Sequence, residues 1–189
     1  VKARNHYRTG GLQKQREEGK LQKKYLALAE GDLSEANDSV FWKEIAIPLA
    51  PDPENPMKMT ISPDGLLPGS RNAVTYYKNI KSFGNVTLVE LQLETGRTHQ
   101  IRVHMSGIGH PLLGDTMYNP RVCLKMSNSK EKKNTEGRIN NRNDCFKRAA
   151  LHAWKLTFCH PFTDEIITLE APLPDDFCRF LNANEEEKT

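Results

Sequence analysis

Val86-Thr-Leu-Val-Glu-Leu-Gln-Leu-Glu94 runs directly into Thr95-Gly-Arg-Thr-His-Gln-Ile-Arg-Val-His-Met-Ser-Gly107, and the hydrophobic period changes between the two. In the first part Val89, Leu91 and Leu93 share one face at the two-residue spacing of a strand. In the second, Ile101, Met105 and Ile108 follow i, i+4, i+7, the stripe a short helix presents to a core. Thr98 is the expected N-cap and Gly107 the expected stop. Arg102 lies about 100° from Ile101 around such a helix, at the margin of the buried stripe. A guanidinium there needs a carboxylate partner to offset its desolvation.

Outward from this stretch the strand signals dominate. Residues 21–30 (LQKKYLALAE) alternate, with Leu26 and Leu28 on one face and Lys23, Tyr25, Ala27 and Ala29 on the other. Tyr25 is therefore either the wall of a cleft or a cross-strand core aromatic. Residues 41–49 form a second strand candidate, stopped by Pro48 and the prolines that follow. Residues 50–72 read as a loop, and 73–80 as a short strand. Trp154, Leu156 and Phe158 alternate in 153–159, and a turn at 161–164 joins them to a partner strand at 166–170. Pro174 opens a short terminal helix with Phe177, Phe180 and Leu181 inward. Residues 6–20 read as a poor helix, weakened by Gly10, Gly11 and Gly19. Strands outnumber helices and are joined mostly by turns. The expected class is α+β, with a mixed, largely antiparallel sheet and short helices.

Composition narrows the function. The chain has 189 residues, 37% hydrophobic and 27% charged, which suits one domain with a real core. No run approaches the roughly 18–20 apolar residues of a membrane-spanning helix, so no membrane partner is expected. Four cysteines, with no Cys-x-x-Cys pair, point to a reducing compartment, and a cytoplasmic location is expected. His99 and His104 are five apart, which does not give the paired helix face of a metal site, so no metal is expected. The net charge of +3 conceals two basic segments. Residues 1–24 hold eight Lys/Arg against two Glu, and residues 121–148 nine against three acidic residues. Such clusters suit phosphate contacts, although solvated surface would look the same. Residues 121–148 read as a basic, disordered insert.

Three motifs then carry a resemblance. Leu93-Glu-Thr-Gly-Arg-Thr-His-Gln-Ile-Arg-Val-His-Met105, with Ile108-Gly-His-Pro-Leu-Leu-Gly-Asp115 after it, resembles the signature of the RluA-type pseudouridine synthases. Lys24-Tyr25-Leu-Ala-Leu-Ala-Glu-Gly31 is similar to that family's tyrosine motif, and residues 148–161 (RAALHAWKLTFCHP) to its Leu-His-Ala segment. The resemblance implies an isomerase that converts uridine in tRNA or rRNA to pseudouridine, with no cofactor and no metal. A monomer is expected. It implies that an aspartate serves as nucleophile or stabilises the detached sugar, on a uridine flipped from its stack. Tyr25 matches the active-site tyrosine and Arg102 the arginine that holds the catalytic aspartate ionised. Leu151 matches an apolar residue packed against the pocket. Arg97, His99 and Gln100 satisfy the motif, as turn and helix-start structure or as RNA contacts. His104 and His152 read as hydrogen-bonded structural histidines.

The same resemblance exposes a departure. The family's aspartate stands in a His-Arg-Leu-Asp segment, and none of the nine aspartates here has that context. Val1-Lys-Ala-Arg-Asn5 resembles the strand that follows that segment. The expectation is one N-terminally truncated synthase domain over residues 1–189, inactive alone and with Arg102 lacking its anion. The alternative is an RNA-binding remnant that has lost catalysis.

Overall fold

A computed structural model describes residues 6–33, 41–122 and 146–185. Its centre is β1 (Gln22–Glu30), which pairs with β6 (Val86–Leu93) on one side and β7 (Leu151–Cys159) on the other. β5 (Val74–Ser82) and β2 (Lys43–Ala46) extend the sheet beyond β6, and β8 (Ile166–Glu170) beyond β7. The six strands run in the order β2-β5-β6-β1-β7-β8, every pair antiparallel. The class is α+β, with a helix on each face of the sheet.

Period-two alternation in β1 separates two cores. Leu26 and Leu28 pack with Leu88, Phe83 and the terminal helix α3 (Asp175–Glu185), through Phe177 and Phe180. Ala27 and Ala29 lie on the opposite face, against α2 (Gln100–Gly107), through Ile101 and Met105. Small residues on that face leave room for a helix to approach the sheet. Residues 111–113 cross the end of β1 as a strap: Glu30 N–H donates to Pro111 O, and Leu113 N–H to Leu28 O.

Several local expectations need correction. Pro48 divides the 41–49 segment, so β2 ends at Ala46 and a separate β3 (Leu49–Pro51) begins. β3 pairs with β4 (Met59–Ile61) inside the stretch expected to be loop. The N-cap of α2 is His99, in the left-handed region at φ 54°, rather than Thr98. The weak helix expected over residues 6–20 is present as α1 (His6–Glu17), where tertiary contacts offset its low propensity. Gln15 bridges 144 positions to the backbone of Cys159, donating to its carbonyl at 2.7 Å and accepting from its N–H at 2.8 Å. Gly11 lets the helix dock, since a Cβ there would lie 3.0 Å from Pro161. Most of the expected insert, residues 123–145, lies outside the described residues.

Gly114 follows the strap at φ 66°, buried under the chain at Phe146 and Arg148. A Cβ there would meet Phe146 O at 2.6 Å, and backbone cannot yield as a flexible side chain does. Gly114→Ala is expected to cost about 2–3 kcal/mol in urea denaturation, combining positive-φ strain with overpacking. A cost below about 1 kcal/mol would mean that this contact relaxes freely.

Candidate active site

The Tyr25 ring packs half-buried on the α2 face of the sheet, in the cluster that also takes Leu151 and Ile101. Tyr25 stands opposite Ala153, and Ala27 opposite Leu151, so strand register brings Tyr25 and Leu151 onto one face. Tyr25 thus combines both readings of its sequence position: its ring joins a core, and its edge lines a cleft of about 390 Å³. Its hydroxyl has no hydrogen-bond partner among the described residues. Burial pushes the phenol above its ordinary pKa, so it stays protonated at neutral pH.

Arg102 projects from α2 to Asp115. Its Nε donates to Oδ2 and its Nη2 to Oδ1, both at 2.8 Å, a bidentate pair. Asp115 is fully buried, and its Oδ1 also accepts from the backbone N–H groups of Met117 and Tyr118 at 3.0 Å. Burial pushes the carboxyl up, but the guanidinium and the two amides outweigh it, and the net shift is downward. The hydrogen bond to Asp115 raises Arg102 against the effect of burial. The expectation that Arg102 lacks an anion is therefore overturned. Asp115 supplies it, from the Gly-Asp element thirteen positions on.

Tyr118 was not singled out by sequence, yet it joins this group. Its ring lies under the Arg102 guanidinium at 4.8 Å. Its hydroxyl meets His99 Nδ1 at 2.8 Å and accepts from Met59 N–H at 2.9 Å. The legible signal was the Asp115-x-x-Tyr118 spacing, which suits an aspartate turn capping the amides two and three residues on.

Gln100 holds the turn before α2. Its Nε2 donates to Val74 O and Thr75 Oγ1, and its Oε1 accepts from Arg97 N–H and Thr95 Oγ1. All four positions of this buried amide are filled within the protein. Arg97 lines the same cleft as Tyr25, and its Nε donates to Asn72 O at 3.0 Å. His152 meets Ala171 O at 3.2 Å.

His104 is fully buried, with Nδ1 at 2.8 Å from Thr75 Oγ1 and Nε2 at 2.8 Å from Ile47 O. A carbonyl only accepts, so Nε2 carries the proton and Nδ1 accepts from Thr75. Burial lowers its pKa below 6.5, and His99 is lowered in the same way, with the Arg102 charge adding to it. Both are depressed bases. The unfolded chain binds the proton first, so their contribution is present above the ordinary value and lost as pH falls toward the folded value. Stability to urea is expected to decline between neutral pH and about pH 5, with a flatter profile in His104→Asn. Identical profiles would remove His104 from this account.

The sequence model of the RNA pseudouridylate synthase family matches residues 3–107, more than half of the chain. The chain belongs to this family. Its resemblance to pseudouridine synthases extends to named relatives. It is 38% identical over 159 residues to the uncharacterized RNA pseudouridine synthase YlyB of Bacillus subtilis, covering 84% of this chain and 43% of the relative. Ribosomal large subunit pseudouridine synthase D of Haemophilus influenzae is 39% identical over 164 residues, covering 87% and 45%. Among solved structures, human RNA pseudouridylate synthase domain containing 1 superposes with a TM-score of 0.65 at 26% identity, covering 91% of this chain and 62% of the other. The chain spans about half the length of the curated synthases it matches. Members of the family are isomerases, and no helix among the described residues is long and apolar enough to cross a membrane.

Proposed function

We propose that this chain provides the uridine-facing wall of an enzyme that isomerises uridine to pseudouridine in rRNA or tRNA. The observation that carries the reading is Tyr25, a half-buried tyrosine that lines a cleft and whose hydroxyl has no hydrogen-bond partner among the described residues. Cleaving the glycosidic bond leaves negative charge on the uracil, and a neutral phenol at the cleft wall donates to it. Burial raises the Tyr25 phenol, so it is protonated at neutral pH and can act as that donor.

Arg102 fits the same scheme. Two of its five N–H donors engage Asp115, and the remaining three have no acceptor among the described residues. A second carboxylate, the nucleophile that the family motif pairs with this arginine, would be received there. Asp115 is not itself that nucleophile, because it is fully buried and its oxygens are occupied. Among the described residues, no aspartate lines the Tyr25 cleft. These facts also favour a second reading, an RNA-binding unit without catalysis of its own.

The deciding measurement incubates the purified 189-residue chain with uridine-containing rRNA and tRNA. The expected result is retained RNA binding with no pseudouridine formed. Pseudouridine formation would show that one of the nine aspartates here serves as nucleophile. Failure to bind RNA would remove RNA as the partner.

A further inference from the structure

The cleft beside Tyr25 has a second feature, which the reaction itself does not use. Three cations from three elements border it: Arg16 from α1, Lys23 from β1 and Arg97 from the turn before α2. Arg16 and Lys23 have no carboxylate within ion-pair distance among the described residues. Arg97 is tied through Nε to Asn72 O, which leaves its terminal nitrogens without a described partner. Among the described residues one carboxylate lines the cleft, Glu94, and it already accepts a 2.7 Å hydrogen bond from Tyr76 Oη. The cations thus outnumber the anion three to one at this cleft.

The backbone places these residues around one cleft. Gln15 ties the end of α1 to the Cys159 backbone, which holds the helix end that carries Arg16. Arg16 then reaches across to the turn, where its Nη2 would lie 3.6 Å from a Cβ at Gly96. With no side chain at Gly96, the guanidinium rests against the backbone just ahead of Arg97. Unpaired cations gathered around a concave site repel one another, and an anion relieves that repulsion.

We infer that Arg16, Lys23 and Arg97 seat a backbone phosphate of the RNA strand next to the uridine presented to Tyr25. The inference rests on the proposed function, since it takes Tyr25 as the site of the base. A base held against the Tyr25 wall carries its own phosphodiester to within a nucleotide's length, and the cations border the same cleft. Phosphate contacts of this kind set strand position without reading sequence.

The test titrates a labelled single-stranded, uridine-containing RNA with the 189-residue chain over a potassium chloride series, read by fluorescence anisotropy. Arg16→Gln and Arg97→Gln should each make the slope of log K against log salt shallower by about 0.7, the value of one lost phosphate contact on a single strand. Arg179→Gln removes the same charge from an exposed position on α3 and should leave the slope unchanged. Tyr25→Phe removes no charge and should also leave it unchanged. Wild-type slopes in Arg16→Gln, or an equal loss in Arg179→Gln, would overturn the phosphate seat while leaving the proposed function standing. No RNA binding by the wild-type chain would overturn both. Thermal midpoints confirm that each variant is folded, and Arg16 is exposed at the end of α1.

Discussion

Asp115→Ala is expected to lower the free energy of unfolding by about 3–5 kcal/mol, the cost of breaking a buried ion pair from one side. The carboxylate is fully buried and the Arg102 side chain only 20% exposed, so water cannot replace the lost partner. The substitution also strands the N–H groups of Met117 and Tyr118, which open the turn carrying Tyr118 under the guanidinium. Asp115→Asn should lose less, because an amide oxygen still accepts from both. Arg102→Met combined with Asp115→Asn should recover part of the single-mutant loss, since no uncompensated charge remains. Asp115 has a folded pKa below its ordinary 3.8. Its contribution is therefore complete above that value and disappears as pH falls through the folded one. Urea denaturation of the four proteins measures all of this. A loss under about 1 kcal/mol for Asp115→Ala would show that the pair is worth little, as for exposed ion pairs.

How this pair was and was not legible shows what sequence reading reaches. The helical period placed Arg102 at the margin of a buried stripe, and desolvation alone then demanded a carboxylate. Which carboxylate could not be read. The choice depends on a strap whose hydrogen bonds join Pro111 and Leu113 to Glu30 and Leu28, contacts more than 80 positions apart. The same limit explains α1. The sequence shows it only as a weak helix, and its support, Gln15 and the close approach at Gly11, acts through the distant β7–β8 hairpin. Thr98 has the right side chain for an N-cap, but Gln100 already ties down the turn, and the chain enters α2 through a left-handed His99. The three-residue strands β3 and β4 were too short to show any period. What was legible was what period two and period 3.6 control: β1, β6, β7 and the buried face of α2.

Tyr25→Phe is expected to reduce pseudouridine formation by about 100-fold or more in a catalytically complete synthase containing these residues, with almost no loss of stability. The two halves of this prediction follow from one observation. The ring is packed beside Leu151 and Ile101, and phenylalanine keeps those contacts. The hydroxyl donates to nothing among the described residues, so removing it breaks no protein hydrogen bond, and urea midpoints should agree within about 0.5 kcal/mol. On the proposed mechanism the same hydroxyl meets charge that develops only as the glycosidic bond breaks. Removing a donor of that kind typically costs a factor of about 10²–10³ in turnover. The loss should fall on kcat and leave RNA affinity nearly unchanged, because the interaction forms in the transition state. Tyr25→Ala separates stacking from donation: it should lose both turnover and stability, through the cavity left in the α2 cluster. Full activity in Tyr25→Phe would reduce Tyr25 to a stacking surface and return the question of the uracil's negative charge to Arg102 and its unpaired N–H donors.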